Sequence, residues 1–284
     1  MGRRRQTLVT AESPSQLSST VSLTLSTVAR AFGETRKRAL YGGKIAALEP
    51  KKLTRLFLTH LHFDHTEGMT EFMLSPWTLE RKEAPQVYGP PGTADMVNHL
   101  MQAYAKDIYI QMFGLERTNA TGWKWLAKEV LPGEVYKDDN VQITAYQNKH
   151  GSWDYSYAYR VVTYKPDGTV DRTIVFSGDT ALFDGMEEVY AGADILFHEA
   201  YSFDPKTNEY DAKAPVSVAY MNAFHTSTEQ LAGVLKKVNP KLTVLYHYVT
   251  FTPANATDQE RGVKEIKKFG YNGVVIQSQD ADIF

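Results

Sequence analysis

Apolar residues in this chain come in short, dense runs, and most of those runs stop at a polar residue. Leu56, Phe57 and Leu58 read as a buried strand running into His60. Gln86-Val87-Tyr88 reads as another, followed by a tight Gly89-Pro90-Pro91-Gly92 turn and a helix from about Thr93, as N-cap, to Ala105. A helix is also expected over Met69 to Leu74. Val141 to Tyr146 alternates apolar and polar, as do Tyr155, Tyr157 and Tyr159, and Pro166-Asp167-Gly168 makes a hairpin-type turn. Thr173 to Phe176 is the returning strand, stopping at Ser177-Gly178-Asp179. Ile195-Leu196-Phe197 stops at His198, and Leu242 to Tyr246 stops at His247. Helices are expected from about Ser227 to Val238 and Asp258 to Phe269, with a last strand over Gly273 to Ile276.

This interleaving predicts an α/β fold with helices on the outer faces of sheets. Four of its strands end at a residue of ligand type: His60, Asp179, His198 and His247. Sites in layered α/β proteins gather at strand ends.

Residues 1–43 break the pattern. They hold six Arg, one Lys and only two acidic residues, Glu12 and Glu34, with much Ser and Thr. Val21, Leu23 and Leu25 alternate there, which allows one strand. Met1-Gly2-Arg3-Arg4-Arg5 has the charge of a signal-peptide start, but Gln6 to Leu17 is too polar for the apolar core of a signal. A targeting segment or a basic disordered tail fits residues 1–43, and residues 44–284 are expected to form the catalytic domain. Nothing in the chain chooses a compartment.

Composition narrows the chemistry. The 284 residues are 43% apolar and 23% charged, enough for a sizeable core and too apolar for a disordered chain. A net charge of −2 argues against a general nucleic-acid binder. There is no Cys, which excludes disulfides, thiolate metal sites and a Cys nucleophile. Any metal must be held by His, Asp or Glu. No apolar run has the length of a membrane span.

Three of the eight His fall within six residues, in Thr59-His60-Leu61-His62-Phe63-Asp64-His65. Chance does not readily place them so. In an extended segment, residues two apart face the same side, so His60 and His62 can face one ion. Asp64 and His65 follow as the chain turns into a helix and can reach a second ion. One cluster cannot complete two sites. His150, Asp179 and His247 are the candidates to finish them. His99 lies in a helix and receives no function.

The cluster, followed in order by His150, Ser177-Gly178-Asp179-Thr180 and His247, resembles the signature of the metallo-β-lactamase superfamily across roughly residues 53 to 250. The resemblance implies an αββα sandwich with a dinuclear metal site at the sheet edge. It also implies a ligand split: His60, His62, His150 and Asp179 on the first ion, and Asp64, His65, Asp179 and His247 on the second, with Asp179 bridging. Two divalent ions, zinc first and manganese or iron as alternatives, would lower the pKa of a bridging water and supply hydroxide at neutral pH. Asp64 would orient that hydroxide.

His198-Glu199-Ala200-Tyr201 and Phe224-His225-Thr226-Ser227 resemble motifs of the ribonuclease Z-like and arylsulfatase-like branch. By that likeness Glu199 orients His225, and His225 acts as general acid or anion clamp. His198 is expected to be a structural neighbour. Trp153, Tyr155, Tyr157 and Tyr159 could wall the site for an aromatic leaving group.

Two departures shape the functional expectation. Transfer-RNA processing members carry a long arm between the third His and the bridging Asp, whereas only residues 151–178 separate His150 from Asp179 here. The expectation is therefore a small anionic ester, a phosphodiester or aryl sulfate, with lactone hydrolysis and ribonuclease Z-type cleavage as alternatives and transfer RNA disfavoured. A homodimer is compatible with the sequence. The family's opening Gly-x-Gly-x-Pro turn and its strand ending in Asp-x-Gly are not found, with Gly42-Gly43 a candidate remnant. Missing strands would leave apolar edges, so a metal-binding but catalytically silent homologue is a further alternative.

Overall fold

In a computed structural model of the chain, residues 23–25, 49–202, 218–250, 260–278 and 282 are described. Of the basic segment, only Leu23–Leu25 falls among them; Gly42-Gly43 and the rest of residues 1–43 lie outside. Among the described residues, eleven strands fall into two sheets. The first is parallel, in the order β1 (Leu23–Leu25), β2 (Arg55–Phe57), β3 (Gln86–Gly89), β4 (Leu126–Glu129). The second contains β5 (Gly133–Lys137), β6 (Val141–Gln147), β7 (Tyr157–Tyr164), β8 (Val170–Phe176), β9 (Ile195–Ser202), β10 (Leu242–Thr250) and β11 (Val275–Gln277), side by side in that order. Its β5 to β8 part is antiparallel and its β8 to β11 part parallel.

The apolar runs are continuous because both sheets are covered on both faces. Phe57 and Tyr88 of the first sheet meet Ile143, Tyr159, Ile174, Phe176, Phe197 and Val244 of the second in one core between the sheets. Their neighbours in sequence point the other way, since side chains alternate along a strand. Leu56, Leu58 and Val87 pack against helices α2 (Met69–Thr78), α3 (Thr93–Ala103) and α4 (Ala105–Phe113), which follow the one-turn α1 (Phe63–Thr66). Val175, Leu196 and Leu245 pack against α5 (Met186–Tyr190), α7 (Thr228–Val238) and α8 (Arg261–Lys268). Helix α6 (Val218–Phe224) precedes α7. The layers are thus αββα, as expected.

The structure moves several boundaries. Thr93 is the first residue of α3, not its cap; Gly92 holds the cap position at φ +100°. The helix stops at Ala103, and α4 follows. Strand β10 does not end at His247: it bulges between Leu245 and Tyr248, His247 takes φ +47°, and pairing with β9 resumes through Thr250. A bulge re-aims a side chain without ending the strand. Tyr157 and Tyr159 are fully buried, with hydroxyls donating to the carbonyls of Val130 and Leu58, so they belong to the core and not to a wall of the site.

Candidate metal centre

Every expected ligand sits where a regular element starts, stops or bends. Thr59 and His60 follow β2, His62 is the N-cap of α1, and Asp64 and His65 lie in its first turn. His150 follows β6. Asp179 follows β8 and a Gly178 at φ +61°, where an added Cβ would lie 2.5 Å from the Tyr157 carbonyl oxygen. Only glycine fits that bend. His247 is presented by the bulge in β10.

These side chains converge in two groups. His62 Nδ1 lies 2.9 Å from His60 Nε2 and 3.0 Å from His150 Nε2. Asp64 Oδ2 lies 3.8 Å from both His65 Nε2 and His247 Nε2. Asp179 stands between the groups: its Oδ2 is 3.1 Å from His65 Nε2 and its Oδ1 is 3.5 Å from His247 Nδ1. Ligand atoms of His60, His62 and His150 lie within 4.8 Å of one another, as do those of Asp64, His65 and His247. All seven expected ligands are therefore brought together.

The donors suit divalent cations. Asp179 Oδ1 is buried and accepts no hydrogen bond, as fits an oxygen whose lone pairs go to a cation. Burial pushes the pKa of His150 down to about 4, and burial with neighbouring His65 holds that of His60 well below its usual value. Both rings stay neutral at pH 7, the form that coordinates metal. Burial opposes ionisation of Asp179, but His247, His65 and His225 together hold its carboxyl well below the usual range.

Beside the groups, Glu199 ties two loops together. Its Oε1 accepts from the backbone N–H of Thr226 at 2.9 Å and of Thr180 at 3.3 Å, and its Oε2 is 3.4 Å from His225 Nδ1. His225 Nδ1 is also 3.9 Å from Asp179 Oδ2. Strand alternation separates Glu199 from His198, which turns outward to the Tyr190 hydroxyl at 3.2 Å. His198 is thus a structural neighbour. His99 lies on the exposed surface of α3 with Nδ1 2.7 Å from the Asp95 carbonyl oxygen, away from the cluster.

Two further residues shape the site. Asn148 donates through Nδ2 to the carbonyls of Ser177 and Asp179, at 2.8 and 3.3 Å, and so braces the Gly178 bend. Nothing in the sequence marks an Asn two residues before a ligand. Trp153, expected only as an aromatic wall, places its indole Nε1 2.7 Å from His62 Nε2.

Comparison with known proteins agrees with this fold. A family model described as a beta-lactamase superfamily domain matches residues 24–248. Ribonuclease Z of Mycobacterium marinum is 28% identical over 214 residues, covering 74% of this chain and 73% of that protein. Ribonuclease Z of Mycolicibacterium gilvum is 25% identical over 242 residues, covering 82% and 81%. These relatives lend no support to the expectation against transfer RNA. Among solved structures, the metallo-β-lactamase fold protein YhfI of Bacillus subtilis aligns with TM-score 0.58 at 16% identity, over 91% of this chain and 84% of that one. Human tRNase Z, short form, aligns with TM-score 0.59 at 17% identity, over 92% and 86%. With its αββα layers, its two His/Asp groups and a family match spanning most of its length, the chain belongs to the metallo-β-lactamase superfamily of hydrolases.

Proposed function

We propose that the protein is a dinuclear metal-dependent phosphodiester hydrolase. The observation that carries this reading is the placing of Asp179 between a three-His group and an Asp64/His65/His247 group, with His225 at its edge. His60, His62 and His150 would hold one ion, Asp64, His65 and His247 the other, and Asp179 would face both. Zinc suits nitrogen and carboxylate donors first, with manganese or iron as alternatives. Bound there, two cations supply Lewis-acid activation of water and of the phosphoryl oxygen.

The chain's own residues do the rest. Asp64 presents a second carboxylate oxygen that can accept a hydrogen bond from the attacking water and aim it. Glu199, anchored by two backbone N–H groups, faces His225 Nδ1 and holds the ring in place. As general acid, His225 would act with its Nδ1–H toward Glu199 and pass an Nε2 proton to the leaving oxygen. The hairpin of β7 and β8 with its turn at 165–169 takes up most of residues 151–178, which supports a compact ester over a substrate needing a long arm. Cleavage of precursor transfer RNA is the second reading, favoured by the ribonuclease Z relatives.

The test is metal analysis of purified protein, with turnover of a bis-aryl phosphodiester, an aryl sulfate, a lactone and precursor transfer RNA. Bound metal with preferred phosphodiester turnover is expected. Metal uptake with no hydrolysis of any of the four would instead point to a silent metal-binding homologue. Asp179→Ala should lose both metal and rate. His225→Ala should keep the metal and lower kcat about 100-fold or more; loss of metal in that variant would overturn its role as acid.

A further inference from the structure

Trp153 stands in an unusual relation to its neighbour. An indole N–H can only donate. At 2.7 Å from His62 Nε2 it claims that nitrogen's lone pair. A neutral His62 ring then carries its one hydrogen on Nδ1. Yet Nδ1 is the nitrogen that converges with His60 Nε2 and His150 Nε2, at 2.9 and 3.0 Å. A cation in that group needs the Nδ1 lone pair, and the ring hydrogen must then sit on Nε2, facing a second N–H. Metal-binding histidines ordinarily give this hydrogen to a carboxylate or carbonyl. Here the partner is another donor.

We propose that Trp153 and the first-group cation compete for His62, so that loading this group breaks the indole–imidazole hydrogen bond and frees the indole at the mouth of the site. The proposal rests on the reading that His62 ligates through Nδ1. Within the ring only the hydrogen changes place, from Nδ1 to Nε2. The local structure permits the release. Trp153 is only half-buried, packs edge-on against His62 with ring centroids 4.8 Å apart, and is held on the backbone side by one bridge to His150.

The test follows the indole N–H signals of the 15N-tryptophan-labelled, chelated protein through a zinc titration, with bound zinc counted in parallel. The other three tryptophans, Trp77, Trp123 and Trp125, lie in the layer outside the first sheet, and their signals should stay put. The Trp153 signal should move upfield as the three-His group fills and stay at its new position once two equivalents are bound. Trp153→Phe confirms the assignment and should bind zinc in the three-His group about threefold to tenfold more tightly, the value of one competing hydrogen bond. A merely structural tryptophan would make that variant bind more weakly. Two equivalents bound with all four signals unmoved would overturn the competition while leaving the metal reading intact. Binding of fewer than two ions would overturn the dinuclear reading, and the competition with it. Should Trp153→Phe not fold, the wild-type titration decides alone.

Discussion

Arg81 is fully buried, and its guanidinium faces backbone rather than a carboxylate. Nη1 donates to the carbonyls of Leu53 and Phe72, at 3.0 and 3.4 Å; Nη2 donates to those of Met73 and Gly122, at 2.5 and 2.9 Å. The reason lies in α2. Pro76 sits inside that helix and has no N–H, so the Phe72 carbonyl four residues earlier has lost its helical donor. Arg81 supplies a replacement, and its plane lies over the Trp125 ring at 5.2 Å. Burial pushes its pKa down to about 9, which still leaves it cationic at neutral pH. In Arg81→Met, four buried carbonyls each lose a donor, at about 1–3 kcal/mol apiece. Relief of the guanidinium's desolvation returns several kcal/mol. The net loss should be about 3 kcal/mol, which lowers Tm by roughly 6–12 °C for a chain of this size. Calorimetry of the chelated protein measures it, and Arg81→Lys, which keeps the charge but not the fork, should fall between. A drop under about 2 °C in Arg81→Met would refute the reasoning, because the carbonyls would then have other donors.

Other consequences are equally direct. Gly178→Ala combines a positive φ with a clash against the Tyr157 carbonyl, whereas Gly168→Ala has φ +80° and no heavy atom within 4 Å of the new Cβ. Both should lose about 1–2 kcal/mol from backbone strain. Only Gly178→Ala should also lose bound metal, as read by metal analysis, because the clash shifts Asp179. The chelated protein should lose stability as the pH falls from about 6.5 to about 4. In that window the unfolded chain protonates His150 while the folded one, with its pKa near 4, does not. The loss should approach about 3 kcal/mol, from roughly 2.5 pKa units, and His60 adds to it in the same direction. Urea midpoints against pH measure this, and His150→Asn should flatten the slope; an unchanged slope would remove His150 as its cause.

The αββα layering and the ligand-bearing strand ends were legible in the chain because both leave local marks. Two-faced burial writes continuous apolar runs, and the run from His60 to His65 packs four donors into one turn. The edge strand β4 and helix α4 were not legible. Leu126–Glu129 is largely exposed, and α4 continues an apolar pattern that reads as one helix with α3 until Tyr104 interrupts it. Residue types and spacing singled out seven side chains that could hold metal, and the resemblance to the ribonuclease Z-like branch pointed to Glu199 and His225 as the pair that would move a proton. Tertiary structure alone decided their arrangement. It placed Asp179 between two groups of histidines, turned Glu199 inward and His198 outward on one strand, and sent Tyr157 and Tyr159 into the core. It also set Trp153 against His62, 91 positions apart. Periodicity records which face of an element is buried, but not which distant element it meets, and a contact across that distance exists only once the two sheets have packed.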